Sequence, residues 1–241
     1  MMLRPPYIYC EKCILEKNMG IAETYRKIRE EVPENVTIVA AAKTRSAEEV
    51  MEFIEAGGTD IGENYVQEAE RMYRGLGDAA RKVRWHMIGH LQTNKINKSL
   101  ELFDVLQTVD SIERAAAVNT RAARFEGRVV PVYLEINIGD ESTKAGLLPE
   151  FNEVLKTAEG IAGMEHVRLE GLMTMGPVTG NPEDSRSFFR RTREIFDGIR
   201  ERAIPGAALN TLSMGMSDSY RVAIEEGSTM IRLGTVLFGA R

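Results

Sequence analysis

The sequence predicts one α/β domain, a single (β/α)8 barrel of the TIM type, on three observations. Eight short runs rich in β-branched and apolar residues alternate with stretches of helical period. The chain has 241 residues, the usual size of one eight-stranded barrel. No low-complexity linker or internal repeat divides it, so residues 19–241 read as one domain. An open, doubly wound sheet is the competing arrangement, and the count of eight strands favours closure.

The elements follow in chain order. Residues 19–32 form an amphipathic helix (Ile21, Tyr25, Ile28 and Val32 on one face) ahead of the first strand, VTIVAAA at 36–42. Ser46 and Glu49 make a capping box for a helix over 46–56, which Gly57 and Gly58 stop. A short strand at 60–61 leads to a helix from about Tyr65. RWHMIG at 84–89 is the third strand, with a helix after Thr93. The fourth, 103–109, runs into a helix capped by Asp110 with Glu113 three residues on. VVPVYLEINI at 129–138 is the clearest strand, followed by a helix after Pro149. The sixth, 166–175, precedes the longest helix, 182–203, for which Asn181 and Pro182 suit the start. Phe188, Thr192, Ile195, Phe196 and Ile199 line its apolar face. LNTLSM at 209–214 is the seventh strand, with a helix over 217–227, and TMIRLG at 229–234 is the eighth. Too few residues remain for another helix, so the helix at 19–32 is expected to fill that gap in the outer ring.

Composition narrows the class. At 43% hydrophobic and 28% charged residues the chain holds enough apolar material for a sizeable core, which excludes disordered and collagen-like proteins. The net charge of −5 lacks the basic footprint of a general nucleic-acid binder. The longest apolar stretch, around 36–42, is far short of the roughly 20 residues that span a bilayer. Residues 1–18 carry two prolines and several charges, without an apolar signal core. A cytoplasmic protein with no membrane or nucleic-acid partner is therefore expected. Cys10 and Cys13 form a single C-x-x-C with no second ligand pair, and they read as neither zinc site nor redox centre. Met19 makes a natural start, and residues 1–18 read as an extension outside the fold, with a non-native origin as the alternative.

A barrel places its chemistry at the C-terminal strand ends. Those positions hold Lys43, Glu63, Asn64, His86, His90, Gln92, Asn137, Lys144, Thr174, Ser213, Arg232, Gly234 and Thr235. Lys43 follows three alanines; a lysine shielded from water there becomes a usable amine for Schiff-base chemistry, against the plainer reading of a lysine reaching solvent. SMGMSD at 213–218 is a glycine-containing turn before a helix, and RLGT at 232–235 adds a guanidinium, a glycine and a hydroxyl, together suiting an anion such as phosphate. Lysine plus phosphate cradle points to a phosphorylated aldehyde. His86 and His90 are four apart, but Gly89 between them and the lack of an HExxH glutamate argue against zinc. Trp85 and Met87 read as core, His166 as structural or exposed, and Arg190, Arg191 and Arg193 as a solvated helix face. Glu63 alone, without a carboxylate partner, is a poor acid–base signature.

Several motifs in order carry a resemblance: AAAKTRS (40–46), GENYVQE (62–68), WHMIGHLQTNK (85–95), EINIGDESTKAG (135–146), GLMTM (171–175) and LSMGMSDSYRVAIEEGSTMIRLGTVLFGAR (212–241). From residue 19 to 241 the chain resembles the pyridoxal phosphate homeostasis proteins, the YggS/PROSC family. The resemblance implies a barrel like the N-terminal domain of alanine racemase (PLP fold type III) that carries pyridoxal 5′-phosphate (PLP). It implies that Lys43 holds the cofactor as a Schiff base, with Arg232 facing the pyridine nitrogen. Ser213, Gly234 and Thr235 would hold the phosphate, and Asn64 would lie near the ring. An arginine there keeps the pyridine nitrogen unprotonated, which suits restrained chemistry. No catalytic residue and no metal are implied. Two departures stand out: Ser219 occupies a position often acidic in the family, with Asp218 just before it, and the loop before the first strand is short.

The function expected is PLP binding for intracellular vitamin B6 homeostasis without robust catalysis, by a monomer or weak homodimer serving PLP-dependent apo-enzymes. The alternatives are a PLP-dependent amino-acid racemase, disfavoured because no second domain supplies a catalytic tyrosine, and a phosphosugar enzyme using Lys43.

Overall fold

The computed structural model describes residues 19–125, 127–139, 145–177 and 180–240. The extension at 1–18 with its Cys10/Cys13 pair, and Lys144, lie outside the described residues. Eight parallel strands close into a barrel in sequence order: β1 (Thr37–Ala41), β2 (Asp60–Glu63), β3 (Arg84–Met87), β4 (Val105–Val109), β5 (Val130–Ile136), β6 (Val167–Thr174), β7 (Thr211–Ser213) and β8 (Met230–Leu233). β8 pairs back onto β1, with Val39 opposite both Arg232 and Asp60. Closure removes the open edges that a doubly wound sheet would leave.

Successive side chains alternate faces along a strand. Ile38, Ile61, Trp85, Leu106, Leu134, Leu212 and Ile231 belong to the main core shared with the helices, whereas Val39, Val105, Tyr133, Met173 and Met230 form a separate cluster. Both strand faces are buried, so the strands read as continuous apolar runs more than as alternating ones. The strands are mostly a residue or two shorter than their sequence patterns, because the flanking residues leave the ladder for turns. β2 is the exception, extending to Glu63.

Around the barrel run α1 (Ile21–Glu31), α2 (Ala47–Glu55), α3 (Val66–Leu76), α4 (Ile96–Leu102), α5 (Ile112–Ala122), α6 (Phe151–Ala162), α7 (Arg186–Glu201), α8 (Tyr220–Glu225) and α9 (Thr235–Phe238). The α2 capping box forms as its sequence indicates. Several expectations need correction. A helix does follow β8: Leu237 and Phe238 give the four-residue α9 apolar side chains to bury, and Phe238 packs 6.4 Å from the Phe53 ring. α1 fills the outer ring together with α9, which it contacts, and not alone. The α5 cap is Ser111, in extended conformation with its hydroxyl accepting from the Arg114 N–H, while Asp110 binds the Arg114 side chain at 2.7 Å. On α7 the fully buried aromatic is Phe189, in helical phase with Thr192, Phe196 and Ile199, with Phe188 at the edge of the face.

α8 starts at Tyr220, later than Ser217, because the chain first turns through Gly215 at φ 94°. A Cβ on Gly215 would lie 2.5 Å from the Ala223 Cβ, so this turn needs glycine to pack α8 against the barrel. Of the arginines read as a solvated face, Arg190 and Arg191 are exposed, and Arg190 and Arg193 also link α7 across to the end of α8. Arg190 pairs with Glu226 at 3.0 Å, beside Arg186, which reaches Glu225 and Glu226, and Arg193 donates to the Gly227 carbonyl.

Candidate functional site

A cavity of about 590 Å³ opens at the C-terminal ends of the strands, within the size range of small-molecule sites. Lys43, Asn64, Arg232, Gly234 and Thr235 all line it, along with Ile88, Met175, Met216, Ser217 and Asp218. Five of the six expected binding positions thus share one space although they span 43–235 in sequence.

Each is held there by a local reason. β1 ends at Ala41, and Lys43 sits in the turn that follows, half-buried. Among the described residues no carboxylate or carbonyl is bonded to its amine. Thr44 has φ 65°, a left-handed conformation unfavourable for a β-branched residue, at a cost on the order of 1–3 kcal/mol. Arg45 anchors the same turn: it donates to Glu49 and to the Phe238 carbonyl, both at 3.1 Å, and stacks on the Phe238 ring. Backbone strain beside an unpaired amine is the pattern of a site held in place by its surroundings.

Asn64 follows β2 and rests against Gly89. A Cβ at Gly89 would come 2.3 Å from the Asn64 carbonyl oxygen, so glycine permits this approach of two backbones at the cavity wall. The Gly89 that argues against a zinc-binding histidine pair therefore has a packing role. His86 is fully buried while His90 is exposed, and no cluster of three metal-ligating side chains exists among the described residues.

Arg232 lies on β8, nearly fully buried. It donates to the Thr174 carbonyl at 2.8 Å and to the Ser213 carbonyl and hydroxyl at 3.0 and 2.7 Å. Burial pushes its pKa down to about 10, offset by the Glu135 carboxylate, so it stays charged at neutral pH. Glu135 in turn is raised to about 7 by burial and by Asp110, against the pull of Arg232 and Arg114.

Ser213 departs from its expected place. Its side chain points into the barrel interior, fully buried between Arg232 and Gln107, and it does not line the cavity. Period-two alternation puts residue 213 on the inward face of β7, below the turn. Ser217, four residues on, occupies the cavity wall, and its hydroxyl accepts from the backbone N–H groups of Gly234 and Val236 at 3.1 and 3.2 Å. The sequence motif contained both serines, and only the path of the turn tells them apart. The reading also missed Asp60, His86 and Gln107 as an inward polar row; their alternation with apolar neighbours was the available signal.

Glu63 faces outward, into a separate depression with Thr44, Arg45, Glu68 and Arg71. One of its oxygens has no hydrogen-bond partner among the described residues, and burial, then the Glu68 carboxylate, raise its pKa to about 8. The folded state thus binds a proton that the unfolded chain releases near 4.5. That stabilisation is complete below about pH 4.5 and is lost as pH rises through about 8. Urea unfolding between pH 5 and 8 is expected to show stability falling with pH, and Glu63→Gln to flatten that slope; an unchanged slope would count against the protonated carboxyl.

The cavity's donor set fits PLP: an unpaired amine for an aldehyde, a charged guanidinium for a ring nitrogen, and a hydroxyl beside backbone N–H groups for a phosphate. The family model of the alanine racemase N-terminal domain matches residues 20–241. The chain is 37% identical over 206 residues to the pyridoxal phosphate homeostasis protein of Pasteurella multocida, covering 86% of this chain and 87% of the relative. To the protein of the same name from Escherichia coli K12 it is 37% identical over 213 residues, covering 87% of each. Among solved structures, PipY of Synechococcus elongatus with PLP bound superposes with TM-score 0.82 at 31% identity, covering 91% of this chain and all of that one. An alanine racemase of Clostridium difficile shares the fold at TM-score 0.75 and 16% identity, with 92% of this chain covering 56% of it.

Proposed function

Because this chain belongs to the alanine racemase N-terminal domain family, and within it to the pyridoxal phosphate homeostasis proteins, we propose that it binds PLP through Lys43 and serves vitamin B6 homeostasis. The observation that supports this most strongly is the shared cavity: an amine without a partner among the described residues, together with Arg232, Ser217, Gly234 and Thr235. When bound, PLP supplies an aldehyde that condenses with an amine and a ring that accepts electrons.

The protein's residues then have distinct tasks. Lys43 Nζ offers the covalent anchor. Ser217, Gly234 and Thr235 would hold the phosphate, Ser217 taking the part expected of Ser213, which is fully buried and does not line the cavity. Asn64 and Ile88, which line the cavity on the β2–β3 side, would bound the ring. Arg232, charged and donor-only, keeps its protons at neutral pH and donates one as a hydrogen bond without transferring it, so a facing ring nitrogen would stay an acceptor. A ring nitrogen without a proton withdraws electrons weakly, which restrains carbanion chemistry.

Storage and delivery without turnover is the finer reading. Its support is that the described cavity lining contains no histidine, tyrosine or cysteine, and its carboxylate, Asp218, is exposed. Racemisation requires a proton donor and acceptor on both faces of the substrate carbon. Exchange with PLP-dependent apo-enzymes and a monomer or weak homodimer complete the reading. Among the described residues no helix is long and apolar enough to cross a membrane.

Titration of the purified protein with PLP is expected to produce the visible absorption of a lysine-bound cofactor, with no racemisation of common amino acids. A protein that stays colourless sinks the proposal. Turnover of about 1 per second or more, an ordinary enzymic rate, would replace storage by catalysis.

A further inference from the structure

We propose that Asp60, His86, Gln107 and Ser213 form a directional hydrogen-bond relay through the barrel that orients Arg232 toward a ring nitrogen in the cavity. This rests on the reading of Arg232 as the residue facing that nitrogen.

The row runs from the lower part of the barrel to the cavity floor. Arg232 Nη1 donates to Ser213 Oγ at 2.7 Å, and Ser213 Oγ donates to Gln107 Oε1 at 2.8 Å. Gln107 Nε2 lies 2.9 Å from His86 Nδ1, and His86 Nε2 lies 2.8 Å from Asp60 Oδ1. Thr59 donates to the other Asp60 oxygen at 2.7 Å. His86, Gln107 and Ser213 are fully buried and Asp60 and Arg232 nearly so.

The two ends determine every proton between them. Arginine has donors only, so Ser213 Oγ must accept from it and spend its own hydrogen on another acceptor. That acceptor is Gln107 Oε1, which turns the Gln107 amide nitrogen toward His86. The amide nitrogen can only donate, so His86 Nδ1 carries no proton and Nε2 carries it, aimed at the carboxylate of Asp60. All four bonds therefore point the same way, from the cation to the anion. Burial disfavours the charged imidazole and holds His86 neutral, while the His86 bond holds Asp60 below the usual carboxylate range. A second proton on His86 would either set two donors, Nδ1 and the Gln107 amide nitrogen, facing each other, or force the amide to reverse and the Ser213 hydroxyl to give up its bond to Gln107 Oε1.

Such a row costs side-chain entropy and displaces apolar packing inside a barrel. Its effect is to fix one guanidinium plane at the cavity floor, where a rotated arginine would present the wrong N–H. Asp60, His86 and Gln107 touch no cavity wall and act as positioning residues through Ser213 and Arg232.

The test has two parts. Ring-nitrogen NMR of ¹⁵N-histidine-labelled full-length protein, without cofactor, is expected to show His86 neutral with its proton on Nε2 at pH 7; a proton on Nδ1, or on both nitrogens, overturns the relay. Binding of PLP and of its 1-deaza analogue, which lacks the ring nitrogen, is then measured with Gln107→Met, a change that keeps volume and removes the bonds to Ser213 and His86 along with the 3.3 Å contact of Nε2 with Met230 Sδ. Affinity for PLP is expected to fall about tenfold, the order of one lost directed bond, with affinity for the analogue unchanged. An equal loss for both ligands marks a merely structural residue and overturns the inference, as does no loss for either. Should Gln107→Met not fold, Asp60→Asn is measured against the same outcomes. If the parent protein binds no PLP, the PLP reading fails while the NMR result still decides the relay.

Discussion

Lys43→Ala protein is expected to leave dialysis free of PLP, where the parent retains it, and to show no visible band of a lysine-bound cofactor. Borohydride followed by peptide mapping is expected to mark Lys43 in the parent and no residue in the variant. The magnitude follows from what remains. Arg232, Ser217, Gly234 and Thr235 still offer charge and hydrogen bonds, but these are all reversible contacts, and the covalent anchor is gone. A weakening of at least about 100-fold, or roughly 2.7 kcal/mol, is expected. Stability should stay within about 0.5 kcal/mol, because Lys43 is half-buried in a turn and has no bonded partner among the described residues. A band of full strength in Lys43→Ala would show that another amine holds the aldehyde.

The largest effect on stability is expected from Trp85→Ala. Trp85 is the largest fully buried side chain, on β3 and facing the helical layer, with its indole N–H donating to the Ala80 carbonyl at 2.9 Å. Its ring lies 5.5 Å from that of Tyr73 on α3. Truncation removes that burial, opens a cavity between β3 and α3 and strands a buried carbonyl. Substitutions of this kind cost about 3–5 kcal/mol, a large share of the roughly 5–15 kcal/mol that holds a domain folded. Denaturant unfolding should show a large fall in midpoint. PLP stoichiometry in the cold should be retained, since Trp85 does not line the cavity. A shift below about 1 kcal/mol would mean that the barrel relaxes into the space.

Most of the fold was legible in the sequence because its determinants are local. β-branched runs, the Ser46 capping box, the glycines after it and the Asn181-Pro182 start each act over a few residues; the capping box forms as expected, and Asn181-Pro182 opens a 3-10 turn that leads into the long helix. The errors fall where a tertiary contact outweighed a local rule. Four residues at 235–238 are too short for a stable isolated helix, yet they form one because Phe238 finds Phe53 and Arg45. Asp110 and Ser111 are both good caps, and Arg114 decided between them by taking Asp110 into an ion pair.

The site was legible only in outline. Strand-end logic placed Lys43, Asn64, Arg232, Gly234 and Thr235 in a longer run of polar strand ends, the family resemblance singled them out, and the closed barrel brings these five to one cavity. Ser213 and Ser217 were not separable by spacing, because which of them faces the cavity depends on how the chain turns at Gly215. Nor did the strands announce that Asp60, His86, Gln107, Ser213 and Arg232 meet. Each sits on a different strand, up to 172 residues apart, and alternation tells which face a residue takes but not its height in the barrel. By itself the sequence determined the elements, their order and the polar strand ends, since propensity and periodicity are properties of short segments. The stagger of the closed barrel decided which polar groups lie level with one another. That is a property of all eight strands together, and it turns scattered residues into a cavity with a bonded floor.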